Sequence, residues 1–212
     1  MTTRLPWLKR ESPRALARFA AFLDACTLVP MARTDTLLRI AESGVFRPLW
    51  SSRVVDEALH ALLRVHPDID PSRLRSRFRS MNEAFDDAMV DGWEPLVESI
   101  ELPDPNDRHV VAAALVGRAD IIVTENIRDF PSSALAPLRL EAVTADEFLL
   151  DQFDLKPALA RRIVCDQAAA MVRPPTTEEQ LLQSLARSGA PGFARAVSEL
   201  KSGQKSPDRP PH

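Results

Sequence analysis

Carboxylates are the residues of this chain whose types and spacing could do chemistry. Asp24 interrupts the apolar run FLDACTLV, with no Lys or Arg near it in sequence. An unpaired carboxylate in such surroundings carries a large desolvation cost. Glu57 lies in SSRVVDEAL, Asp104 and Asp107 lie in LPDPNDRHVV, and Asn126 and Asp129 lie in IIVTENIRDF. Acids crowded together without basic partners repel one another and retain protons. A hard divalent cation, Mg2+ or Mn2+, removes that conflict, because it takes oxygen ligands and usually keeps several waters. Held in this way it can lower the pKa of a bound water, aim it at phosphorus and neutralise the leaving oxygen, which is the chemistry of phosphodiester cleavage. A polyanionic substrate also needs cations at the rim of an acidic pocket. Arg53, Arg108 and Arg128 each adjoin an acidic segment and are the candidates for holding phosphates.

For these acids to meet, the strands that precede them must end at one sheet edge, where the ligands of an open parallel sheet bind. The apolar pattern predicts a strand within residues 18–26 that ends at Asp24, and a helix over 34–43 stopped by Gly44. A short strand over 46–50 follows, then a helix capped by Ser51 or Ser52 that reaches about Val65. A polar helix is expected over 72–89, with Phe78, Met81 and Phe85 as its apolar stripe, and a third strand over 95–102. Asp104 and Pro105 open a helix that runs to Val116. Strands over 120–124 and 138–143 and a helix through Phe153 complete the set. This alternation predicts an α/β fold on a mainly parallel sheet. Asp120 precedes its strand and so falls at the wrong edge.

Beyond residue 154 only helical patterns remain, over 156–172, 176–188 and 193–200, broken by Pro174, Pro175, Gly189 and Pro191. The chain therefore divides into a basic arm (1–18), an α/β domain of catalytic size (19–154), a helical extension (155–203) and a disordered tail (204–212).

Composition narrows the function classes. The 212 residues carry 27 Lys plus Arg against 30 Asp plus Glu, a net charge of -3, which gives no warrant for indiscriminate nucleic-acid binding. The charge is uneven, with nine carboxylates and no Lys or Arg between Ser80 and Asp107. Cys26 and Cys165 form neither a disulfide framework nor a zinc-binding spacing, which fits a reducing cytoplasm. No apolar stretch approaches the roughly 18 residues of a membrane span. His109 lacks a nucleophile motif beside it and is assigned to the helix surface. Arg73, Arg75, Arg77 and Arg79 spread around their helix and are assigned to solvent.

FLDACTLVP, SRVVDEAL, DPNDRHVVAAAL and IIVTENIRDFP, in that order, resemble the PIN-domain ribonucleases, and especially the VapC-type toxins of bacterial toxin–antitoxin pairs. The resemblance covers about residues 19–152. It implies a three-layer α/β/α PIN fold and an Mg2+-dependent endoribonuclease, with Mn2+ able to substitute. Asp24, Glu57 and Asp107 match the acidic core, and Asp104 is placed to assist. At the fourth acidic position the chain has Asn126, with Asp129 three residues later. Either of the two could contact the metal. The resemblance also implies an RNA substrate and a neutralising antitoxin, and the extension beyond 154 could bind that antitoxin, mediate a homodimer or simply cover an apolar face. Two other functions stay open. One is a non-catalytic PIN-like module that binds RNA or protein, for which Asn126 speaks. The other is an aspartyl-phosphate phosphatase, which needs a second Asp where this chain has Cys26.

Overall fold

The computed structural model describes residues 19–172 and 174–203, the last three as backbone only. The arm expected over 1–18 and the tail expected over 204–212 lie outside the described residues.

A sheet of five strands in the order β3-β2-β1-β4-β5 organises the chain. The strands are β1 (Ala20–Leu23), β2 (Arg47–Ser51), β3 (Met89–Val90), β4 (Ile121–Val123) and β5 (Glu141–Val143), and every pairing is parallel. All four side chains of β1 and all three of β4 are buried. Strands covered on both faces read as continuous apolar runs, which is why AAFL and IIV stand out in the sequence. Burying Phe22, Leu23, Ile122 and Val123 completely contributes about 1.5–3 kcal/mol each.

The helices around the sheet follow local signals. After α1 (Ala25–Leu28) comes α2 (Met31–Glu42), which stops just before Gly44. That glycine has φ +78° and donates its N–H to the Ala41 carbonyl at 2.9 Å, the left-handed ending that glycine adopts without steric cost. Ser51 Oγ accepts from Val54 N at 3.3 Å and caps α3 (Ser52–Val65), whose buried face is Val54, Ala58 and Leu62. Asp70 caps α4 (Pro71–Ala84), with Pro71 in the first turn. In α5 (Arg108–Val116) every residue from His109 to Ala114 is buried, and its alanines allow a close approach to the sheet. A one-turn helix, α6 (Ser132–Leu135), precedes β5.

Three expected elements differ. The helix expected to reach residue 89 ends at Ala84, because Phe85 leaves the helical conformation and sets its ring edge-on to Trp50, 5.9 Å between centroids. Met89–Val90 then pairs with Trp50 and Ser51 as the edge strand. The strand expected over 95–102 is instead a 3-10 helix, Glu94–Ser99, with Pro95 in its first turn, where a missing N–H leaves no bond unmade. The last strand is shorter than 138–143, because Ala136–Leu138 is a 3-10 turn closed by Arg139 at φ 57°.

Two compact units result. The first takes in the described residues up to Met31 together with Ala41–Thr144 and holds the sheet. The second joins Ala32–Ile40 of α2 to α7 (Ala145–Leu155), α8 (Pro157–Ala170), α9 (Glu178–Arg187) and α10 (Pro191–Gly203). The division falls at Ala145 and not at residue 154, because α7 packs with the later helices. Asp146 accepts from Gly192 N and Phe193 N at 2.9 and 2.8 Å, and the Phe153 and Phe193 rings meet edge-on. Within this unit Thr36 Oγ1 donates to Gln167 Oε1 at 2.6 Å, both fully buried. Thr177 and Gln180 form a reciprocal cap at the start of α9. Among the described residues no helix is long and apolar enough to cross a membrane.

Candidate active site

β2 lies on one side of β1 and β4 on the other, so the chain leaves the carboxyl ends of β1 and β4 toward opposite halves of the sheet. Such a reversal opens a crevice between the two strand ends. The register pairs Leu23 with Val123, and the next residues along, Asp24 and Thr124, therefore stand side by side. Asp24 Oδ2 accepts from Thr124 Oγ1 at 2.8 Å and from Cys26 Sγ at 3.0 Å, and Oδ1 accepts from Ala25 N at 2.6 Å. Asp24 is 8% exposed. Its burial is offset by three neutral donors, and among the described residues no Lys or Arg pairs with it. Burial, with the Asp24 charge next, pushes the Cys26 thiol up to about 12. Cys26 is thus a protonated donor to the carboxylate and not a nucleophile.

Asp104 opens the next segment. Its Oδ1 accepts from Asn106 N at 2.8 Å, capping the 3-10 turn Pro105–Asp107. Asp107, half-buried at the end of that turn, is pushed up to about 6 by burial first, then by the charges of Asp24, Asp104 and Asp129. Three of the acids named from the sequence therefore come near enough to a fourth, Asp107, for their charges to act on it. Asn126 Nδ2 donates to Asp107 Oδ2 at 3.1 Å, and Asn126 N donates to Thr124 Oγ1 at 3.1 Å. The amide at the fourth position thus bonds a carboxylate of the cluster, while Asp129, at the end of the 3-10 turn Ile127–Asp129, contributes charge.

Glu57 sits in the second turn of α3, and its Oε1 accepts from Arg53 Nε at 3.1 Å and from His109 Nε2 at 3.2 Å. Burial acts to raise its pKa, but His109 and Arg53 together outweigh that and hold it below the usual carboxylate value. Arg53 also donates to the Asn106 carbonyl at 3.4 Å, which ties α3 to the turn carrying Asp107. Arg53 is thereby partly committed to Glu57. Arg108 is half-buried, and its Nε has no hydrogen-bond partner. Arg128 is exposed between Asn126 and Asp129.

Sequence reasoning missed three residues. His109 is 1% exposed and not on the helix surface, because the start of α5 packs beneath Trp93, 5.9 Å between ring centroids. Its placement one residue before Val110 and Val111 in a helix buried all round was the available signal. Thr124 and Cys26 were legible only once β1 and β4 were known to be neighbours.

Among the described residues no three Asp, Glu, His or Cys side chains close into a metal cage. The donor set nevertheless fits a hard cation. The Asp24 charge is among those that raise Asp107, and an ion bound largely through water needs few protein ligands.

The family model described as PIN domain matches residues 20–128, half of the chain, and spans every acid of this cluster but Asp129. The chain belongs to the PIN-domain family. A second model, described as VapC50 C-terminal domain, matches residues 145–199 and begins at the residue where the second compact unit resumes. The chain is also similar to a curated protein of Mycobacterium tuberculosis strain H37Rv, named "Putative ribonuclease VapC50", at 40% identity over 94 residues. That similarity covers 44% of this PIN-domain chain and 55% of the relative. No solved structure matches. The fold therefore is the α/β PIN architecture that the resemblance implied, followed by a helical segment similar to the VapC50 C-terminal domain.

Proposed function

We propose that this PIN-domain protein is an Mg2+-dependent endoribonuclease, acting as the toxin of a toxin–antitoxin pair. One observation carries the proposal: Asp107 is raised to about 6 by burial and then by the charges of Asp24, Asp104 and Asp129, which the opposing effect of His109 does not cancel. Folding does not favour such an arrangement by itself, and a divalent cation resolves it. The ribonuclease named among its relatives adds support.

Asp24 and Asp107 would hold Mg2+, with Asp104 and Asp129 as further ligands and Mn2+ as a substitute. When bound, the ion supplies an activated water and neutralises charge at the phosphate. The protein's own residues do the rest. Thr124, Cys26 and the Ala25 amide fix Asp24, so that its oxygens need no reorganisation. Asn126 fixes Asp107 in the same way. Glu57, held ionised, serves as the catalytic carboxylate that takes a proton. Arg108 and Arg128 hold the RNA backbone, joined by Arg53. The partners are RNA and a cognate antitoxin, with a homodimer through the C-terminal unit, and the compartment is the cytoplasm.

The test is incubation of the full chain with total RNA. Cleavage that EDTA abolishes and Mg2+ or Mn2+ restores is expected. Cleavage indifferent to EDTA, or no cleavage with either metal, would contradict the proposal. Co-expression with the protein encoded beside it should relieve growth arrest if that protein is the antitoxin.

A further inference from the structure

We infer that His109 is a positioning residue for Glu57, acting through its Nε2–H to hold one oxygen and so fix the orientation of the carboxylate. The inference rests on the nuclease reading above and deepens it at one residue.

Three observations carry it. First, Glu57 has 40% of its side chain exposed, and its other tether, Arg53, has 43% exposed. Exposed pairs one turn apart on a helix hold a side chain weakly. His109, by contrast, is 1% exposed and wedged against Trp93, so its ring has no freedom to follow Glu57; the carboxylate must come to it. Second, both tethers land on Oε1, while Oε2 accepts no hydrogen bond from any described residue. The carboxylate is thus held by one oxygen on the buried imidazole, with the other left without a donor among the described residues. Third, His109 Nδ1 is buried without a partner. Were the proton on Nδ1, a buried donor would be orphaned and the Nε2 lone pair would face a carboxylate oxygen. The geometry therefore calls for a proton on Nε2, where the Glu57 bond uses it. The same short segment, DRH, thereby delivers the Asp107 carboxylate and the tether of Glu57.

The test is a double-mutant cycle of RNA cleavage in Mn2+ with the full chain. His109→Leu should lower kcat by about 10–100-fold with KM little changed, and His109→Gln, whose amide can donate from about the Nε2 position, should recover most of the rate. In a Glu57→Gln background, His109→Leu should cost less than about twofold further, because the group it acts through is already gone. Equal losses in both backgrounds, or a Gln variant no better than Leu, would overturn the inference. A second readout needs no His109 variant. In 15N-labelled protein the imidazole should be protonated at Nε2 and bare at Nδ1, with the Nε2 resonance moving on Glu57→Ala; the opposite tautomer would overturn it too. That spectrum separates the two readings. A wild-type chain that cleaves no RNA defeats the nuclease proposal, whereas the tautomer reports on the tether alone.

Discussion

Thr124 donates its hydroxyl to Asp24 Oδ2 at 2.8 Å across the ends of two adjacent parallel strands, and that hydroxyl oxygen, Thr124 Oγ1, accepts from Asn126 N at 3.1 Å. One side chain thus fixes the carboxylate after β1 and the backbone of the residue whose amide reaches Asp107. Thr124→Val keeps the shape and removes both bonds, leaving Asp24 with the Ala25 amide and Cys26. Cleavage should fall about 10–100-fold, and Thr124→Ser should stay near the wild-type rate. Steady-state assays on the three proteins check this, and a Val variant of full activity would show that Asp24 needs no such support.

Asp107 makes stability depend on pH in a direction opposite to that of an ion-paired acid. Its folded pKa, about 6, stands above the ordinary 3.8. Between those values the folded protein holds a proton that the unfolded chain has released, so its contribution to stability falls as pH rises through this window. Above about 6 the full cost is present. In EDTA, Asp107→Asn should therefore raise Tm by about 2–4 °C at neutral pH and make little difference near pH 4, as thermal melts at the two pH values will show. Mn2+ affinity of the wild-type chain should weaken as pH drops below about 6, because protons then compete for Asp107.

Glu57 behaves the other way. His109 and Arg53 lower its pKa against the effect of burial, so its contribution to stability is present above the unfolded value and is lost as pH falls through the folded one. With its side chain 40% exposed, that contribution is small. Glu57→Gln should leave Tm within about 2 °C of wild type while lowering cleavage about 100-fold or more. A large drop in Tm would mean that Glu57 serves the fold and not the reaction.

Gly117 tests the packing that carries Asp107. A Cβ built there would lie 2.8 Å from Val90 Cγ2, 3.0 Å from Leu49 Cδ1 and 3.2 Å from the Ala113 carbonyl. Gly117→Ala should cost about 1–3 kcal/mol, seen as a Tm lower by several degrees, because the buried Val90 and packed Leu49 side chains must give way to the added methyl.

The parts of the fold legible in the sequence were those with one-dimensional signatures. AAFL and IIV read as buried strands, Ser51 or Ser52 as a cap and Gly44 as a stop, because each signal lies within a few residues of its effect. The edge strand Met89–Val90 was hidden, since two residues carry no period and the pairing partner, β2, lies 38 residues earlier counting Trp50 to Ala88, where the Trp50 N–H meets the Ala88 carbonyl. Pro95 to Leu102 alternates like a strand, yet a proline-led turn satisfies it equally. In the candidate site, Asp24, Asp104, Asp107 and Asp129 could be named from the sequence because acids after apolar runs are conspicuous, and Asn126 because it stands where the resemblance expects an acid. Thr124, Cys26 and His109 were not. A threonine at a strand end and a cysteine in a helix turn look ordinary until the register sets them against Asp24, and a histidine gives no sign of burial until Trp93 covers it.

The cleavage rate of Asp24→Asn against wild type, on the same RNA and in saturating Mn2+, tests most directly whether this cluster is the reactive centre. The substitution keeps the size of the side chain and its place beside Thr124 while removing the charge that would hold the cation. A loss of about 1000-fold or more, with an unchanged circular dichroism spectrum, is the predicted result. Undiminished cleavage by Asp24→Asn would contradict the account.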